Sequence, residues 1–147
     1  MPIATPQAYR QMIDTAKSQS FAFPAVNCVG SEAVNAALKG FRRRRQRWNH
    51  PILHRRSRIP SGLGVKDMVT GAVALAEFGH VVAQRYPVTV ALHTDDCPKD
   101  KLDTYVRTLP AISRQRVEAG QAPLFNSHMW DGSAIPVDEN LDIGSSR

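Results

Sequence analysis

No apolar run in this 147-residue chain approaches the roughly 18 residues of a membrane-crossing helix, so no membrane span is expected. The first residues, Met1-Pro-Ile-Ala-Thr-Pro6, lack the basic and apolar regions of a signal peptide. Cysteine is scarce: Cys28 and Cys97 each follow an apolar segment, and neither has zinc-type spacing. Both read as buried free thiols rather than a disulfide, which fits a reducing cytoplasm. Internal repeats and low-complexity linkers are also missing. A single domain over residues 1–147 is expected, long enough to bury a core of its own.

Acidic residues are missing from one stretch in particular. Residues 42–59, RRRRQRWNHPILHRRSRI, hold eight arginines and no Asp or Glu. The chain's net charge is +6 and those arginines contribute +8, so the remainder stands at −2. The basicity belongs to one insert-like segment. Clustered arginines beside Trp48 could bind phosphate backbones or single-stranded bases without specificity and with strong salt dependence. That is the second reading of the chain: a basic nucleic-acid-binding segment on a non-catalytic α/β domain.

Outside that segment the pattern is regular. Thr5 is an N-cap candidate ahead of Pro6, and Tyr9, Met12, Ile13 and Ala16 share one helical face up to about Gln19. A short apolar strand over residues 21–27 follows, with Pro24 in it. Ser31 caps a helix whose Val34, Ala37, Leu38 and Phe41 fall at i, i+3, i+4 and i+7. From Arg42 the period is lost, and Pro51 interrupts regular structure of either kind. After the loop Ser61-Gly-Leu-Gly64, residues 65–86 read as one long helix, with Gly71 and Gly79 marking close packing. A strand is expected over 88–94, and a helix over 99–119 kinked or broken at Pro110. A strand over 123–129 and the start of a helix at Val137 complete the chain.

Two of these strands end in polar residues. Val88-Thr-Val-Ala-Leu92 runs into His93-Thr-Asp-Asp-Cys97, and Pro123-Leu-Phe125 runs into Asn126-Ser-His-Met-Trp-Asp131. Strands that build a core and present carboxylates at their C-terminal ends describe the catalytic rim of an α/β barrel. Strands alternating with helices imply parallel pairing. Three or four βα units are visible where a closed barrel needs eight over about 250 residues, so the fold expected is a partial TIM (β/α)8 barrel, roughly its N-terminal half.

These blocks resemble class II, metal-dependent fructose-bisphosphate aldolase in its actinobacterial form. The resemblance rests on Phe21-Ala-Phe-Pro-Ala-Val-Asn-Cys28, Ser61-Gly-Leu-Gly-Val-Lys-Asp67, Leu92-His-Thr-Asp-Asp-Cys-Pro-Lys99 and Pro123-Leu-Phe-Asn-Ser-His-Met-Trp-Asp131, in collinear order. It covers residues 1–41 and 61 to about 143. It implies a zinc-dependent carbon–carbon lyase of glycolysis and gluconeogenesis. That enzyme cleaves fructose 1,6-bisphosphate reversibly to dihydroxyacetone phosphate and glyceraldehyde 3-phosphate, with zinc as the Lewis acid on the ketone oxygen. It further implies a cytoplasmic homo-oligomer, a sugar-phosphate substrate and a second cation, divalent or monovalent, beside the zinc. By the same resemblance Asp95 is the acid/base carboxylate, Asn27 contacts substrate, and Asp131 binds the second cation.

Three departures set expectations of their own. The family has His-Thr-Asp-His-Cys where this chain has His93-Thr94-Asp95-Asp96-Cys97, so Asp96 stands at a zinc histidine's place. A carboxylate there changes the site charge and weakens zinc binding. Residues 42–60 replace a strand of the form I-I-Q-F-S-T-G-G with flanking A-D-A-G. Reading that strand one frame off gives Asn-His-Pro-Ile-Leu-His-Arg-Arg, the text of residues 49–56. A pair of compensating indels is expected, with loss of the second strand and of its substrate-contacting serine and glycines. Resequencing codons 42–60 checks this: an intact frame with no homologous alternative frame refutes it. Finally, the family's other zinc histidines, its catalytic-loop glutamates and its Gly-rich phosphate loop have no counterpart here, so an inactive truncated remnant with open sheet edges is expected.

The plainer readings stay beside these. Asp95 and Asp96 could be an exposed pair capping the segment from Pro98. His93 shares a strand face with Asp95, and hydrogen bonding to the site competes evenly with packing. His128 and Trp130 read as packing residues, and His80 as a partly buried helical side chain. His50 and His54 are assigned nothing.

Overall fold

The computed structural model describes residues 3–43, 50–53 and 60–145. Helix α1 (Pro6–Ser18) begins where expected: the Thr5 hydroxyl accepts the Ala8 N–H at 3.1 Å, and Met12 and Ala16 are buried. Strand β1 (Ala25–Asn27) is shorter than the apolar run around it. Pro24 precedes it and has no N–H to give a ladder. Helix α2 (Ser31–Arg43) follows, with Val34, Ala37, Leu38 and Phe41 all buried, as their spacing predicts.

The second strand is present. Strand β2 (His50–Leu53) pairs in parallel with β1, Ala25 opposite His50 and Asn27 opposite Ile52. The expected loss of this strand, and the interruption at Pro51, are therefore corrected. Extended backbone is compatible with proline's fixed φ, so Pro51 lies opposite Val26 and withdraws only its own donor from the ladder. Residues 44–49 and 54–59, with His54, Trp48 and most of the arginines, lie outside the described residues.

A one-turn helix α3 (Gly62–Val65) ends at Lys66, whose φ of 52° breaks the helical path. Helix α4 (Met68–Ala83) restarts at Asp67, whose carboxylate accepts the Thr70 N–H. The helix expected over 65–86 is thus shorter, and a helical turn occupies the expected loop at 61–64. Gly71 and Gly79 are buried as anticipated, and a Cβ on Gly79 would lie 3.7 Å from the Leu92 methyls.

Strand β3 (His93–Pro98) lies later than the expected 88–94. The apolar residues before it are held in other ways: Val90 bridges Ile3, and the Asn126 side chain accepts the Leu92 N–H at 2.9 Å and donates to the Ala4 carbonyl at 2.9 Å. Beyond β3 come a 3₁₀ turn (Lys99–Lys101) and a π turn (Leu102–Val106), then α5 (Thr108–Glu118). The helix break falls upstream of Pro110. That proline sits in the first turn of α5, where no intrahelical donor is needed. Strand β4 (Ser127–Asp131) and helix α6 (Val137–Ser145) complete the order.

The sheet runs β1-β2-β3-β4, all parallel, with helices between strands. Its helix-covered face carries the main core: Leu38, Leu75, Ala76, Leu92, Leu109 and Leu124 are buried together. On the opposite face, Met12 of α1 packs on Ala4 and Ala91 at the lower end, with Tyr9 and Phe23 beside them.

Candidate functional site at the strand ends

Alternation along β3 decides which residues reach the site. Leu92 meets α4, so Thr94 points to the same helix-covered side. Thr94 is fully buried and its hydroxyl lies 2.7 Å from His128 Nδ1. His93 and Asp95 take the other, inner face, and His93 Nε2 stands 3.9 Å from the Asp95 carboxylate. Both side chains retain 21% exposure, enough to meet a ligand.

Strand β4 continues the inner face. His93 pairs with Ser127 in register, and its Nδ1 lies 2.7 Å from the Ser127 hydroxyl. Two residues per repeat then place Met129 and Asp131 on that face as well. Asp131 pairs with Pro98 at the C-terminal end of the ladder, and its carboxylate accepts the Ser133 N–H at 3.0 Å. Asp95 and Asp131 therefore sit on one face, at the same end of neighbouring parallel strands. Asn27 ends β1, and its register partner Ile52 also pairs with His93, so Asn27 lies level with His93 across β2.

Between Thr94 and Cys97 the ladder slips, and Asp96 adopts a left-handed φ of 49°. This is a β-bulge, a device that re-aims side chains at a strand end. Aspartate and histidine both tolerate left-handed backbone better than most residues, so position 96 can carry either. Among the described residues, no group of three or more His, Cys, Asp or Glu side chains is placed to hold a metal ion. The described side chains alone do not make up a zinc site.

Burial sets the charge state of the histidines. It pushes His93 below the usual imidazole range, with the Asp95 carboxylate and a hydrogen bond to the Ser127 backbone pulling the other way. His128 is pushed down to about 4 by burial, and then by His93. Burial likewise lowers His80, whose Nε2 lies 3.1 Å from the Leu124 carbonyl and joins α4 to the approach of β4. His128 packs against Phe125 with centroids 5.5 Å apart, so the packing reading of that residue stands. Cys28 and Cys97 are buried free thiols, and burial raises the Cys28 thiol to about 11, which keeps it unreactive. Two inner-face residues escaped the sequence reading. Tyr9 looked like a helix core position, and Ser127 was not singled out; counting the β4 alternation back from Asp131 would have found the second.

Below the carboxylates lies a cleft of about 300 Å³ lined by Tyr9, Ile13, Phe23, Ala25, His93 and Ser127. A parallel sheet with helices on one face and carboxylates at its C-terminal rim defines a barrel-type α/β domain. Comparison with known proteins makes this specific. Residues 7–146 match the family model "Fructose-bisphosphate aldolase class-II", and the chain belongs to that family. It is 64% identical over 143 residues to a fructose-bisphosphate aldolase of Mycobacterium tuberculosis, 97% of this chain and 42% of that protein. With the Corynebacterium glutamicum relative the identity is 56% over 143 residues, 97% of this chain and 42% of that one. A crystal structure of fructose-bisphosphate aldolase from Campylobacter jejuni superposes with a TM-score of 0.85 at 31% identity, covering 97% of this chain and 41% of that one. The chain thus spans about two fifths of the length of the relatives it matches. No helix among the described residues is long and apolar enough to cross a membrane.

Proposed function

We propose that this chain forms the first strand ends of a fructose-bisphosphate aldolase site and does not turn over substrate by itself. In this reading Asp95 holds and returns the proton of the aldehyde-derived hydroxyl at its carboxylate oxygen. Asp131 binds the second cation, Asn27 orients the sugar phosphate, and Asp96 occupies a zinc ligand's position. The placement of Asp95 and Asp131 on one face, at the same end of adjacent parallel strands, carries the reading. A half-buried carboxylate at such a rim is within reach of a reacting hydroxyl and remains open to ligand. Zinc, when bound in this family, supplies Lewis-acid polarisation of the ketone. A cytoplasmic setting and an oligomeric state belong to the same proposal.

The whole chain, assayed with fructose 1,6-bisphosphate and added zinc, is expected to show no cleavage above background. Zinc titration of the chain against its Asp96→His variant tests the ligand position. The variant restores the family's residue and is expected to bind zinc more tightly. Equal affinity, or measurable turnover by the parent chain, defeats the corresponding part of the reading.

A further inference from the structure

The least expected contact on the inner face links the first helix to the site. Tyr9 of α1 places its phenolic oxygen 2.9 Å from the Ser127 hydroxyl, and the same hydroxyl lies 2.7 Å from His93 Nδ1. His93 Nε2 in turn faces Asp95 Oδ1 at 3.9 Å. We propose that His93 is a positioning residue for Asp95, held in one tautomer by a hydroxyl relay running from Tyr9 through Ser127. The inference rests on Asp95 being the acid/base carboxylate.

Proton counting gives the relay its direction. A serine hydroxyl has one proton to donate, and a neutral imidazole has one protonated and one bare nitrogen. If Ser127 donates to Nδ1, its oxygen is free to accept from the Tyr9 O–H, and the imidazole proton sits on Nε2. An N–H then faces the carboxylate, which is attractive. In the reverse arrangement Nδ1–H donates to Ser127, and a bare Nε2 lone pair faces a negative carboxylate, which is repulsive. Geometry and electrostatics agree on the first arrangement. Its consequence is a fixed N–H facing Asp95 at 3.9 Å, beyond hydrogen-bonding distance, which biases the carboxylate through electrostatic attraction. The helix that closes the lower end of the inner face thereby reaches the acid/base group through three side chains.

The whole chain, labelled isotopically in its histidines, permits a direct test by long-range proton–nitrogen correlation spectra at neutral pH. His93 is expected to carry its proton on Nε2. Ser127→Ala is expected to weaken that bias and Tyr9→Phe to weaken it less, because the Asp95 carboxylate still favours an Nε2 proton in both, while Ser127→Thr retains it. The Asp95 carboxyl carbon signal should shift in the first two variants and stay in place in the third. Tyr9→Phe removes only an oxygen, so its amide spectrum serves as the folding control. A parent His93 protonated on Nδ1, a bias undiminished in both disruptive variants, or an unmoved Asp95 signal overturns the relay. None of these readouts needs turnover or zinc, so the relay and the aldolase reading fail independently of each other.

Discussion

The two faces of the β3–β4 pair use consecutive residues for opposite ends. On the helix side Thr94, Leu109 and Leu124 are 0% exposed, and the Thr94 hydroxyl is matched by His128. On the inner side His93 and Asp95 keep 21% of their surface open. One face is stabilised by apolar burial and the other holds partly solvated polar groups in fixed geometry. A change on the first face should appear in stability, and one on the second should leave stability nearly unchanged.

The largest effect belongs to the helix side. Leu109→Ala, at a fully buried position, is expected to cost about 2–5 kcal/mol in denaturant unfolding. Acid should act through the same face. His128 titrates near 6.5 when unfolded and about 4 when folded, so the unfolded state binds the extra proton between those values. Stability is complete above pH 6.5 and falls as pH drops toward 4, by something on the order of 3 kcal/mol from this group. His80 and His93 are lowered as well and steepen the same limb. A melting temperature unchanged over that window breaks the assignment of a neutral buried His128.

Smaller effects sharpen the contrast. Thr94→Val keeps the shape but strands His128 Nδ1, at about 1–3 kcal/mol. Thr5→Ala removes the α1 cap and should cost about 0.5–2 kcal/mol, read as lost helicity and a lower unfolding midpoint. Asp95→Asn lies at the other extreme. It should leave stability within about 0.5 kcal/mol while deleting the carboxylate proposed to carry the proton. A large loss of stability in that variant would mean that Asp95 supports the fold rather than the chemistry.

How much was legible follows from the range of the interactions involved. The caps at Thr5 and Asp67 and the buried face of α2 are local patterns, though only Thr5 was read as a cap beforehand. Asn27, Asp95 and Asp131 were named through the family resemblance, Asp95 also as a carboxylate just past an apolar run, and register puts the three at one rim. The start of β3 was misread because Val90 and Leu92 look like strand residues; their partners are Ile3 and the Asn126 side chain instead. Pro51 was read as a breaker, yet the slot between β1 and β3 supplies pairing on both sides of it.

The sequence by itself determined the order of helices and strands, the alternation that separates core from rim, and the family. All three depend on residue type and spacing, which act over a few positions. Only the tertiary structure decided that β2 completes the sheet, that the ladder slips at Asp96, and that Tyr9 reaches Ser127 across 118 positions of chain. Those depend on which backbone donors and side chains meet when distant segments pack, and no local pattern encodes that meeting.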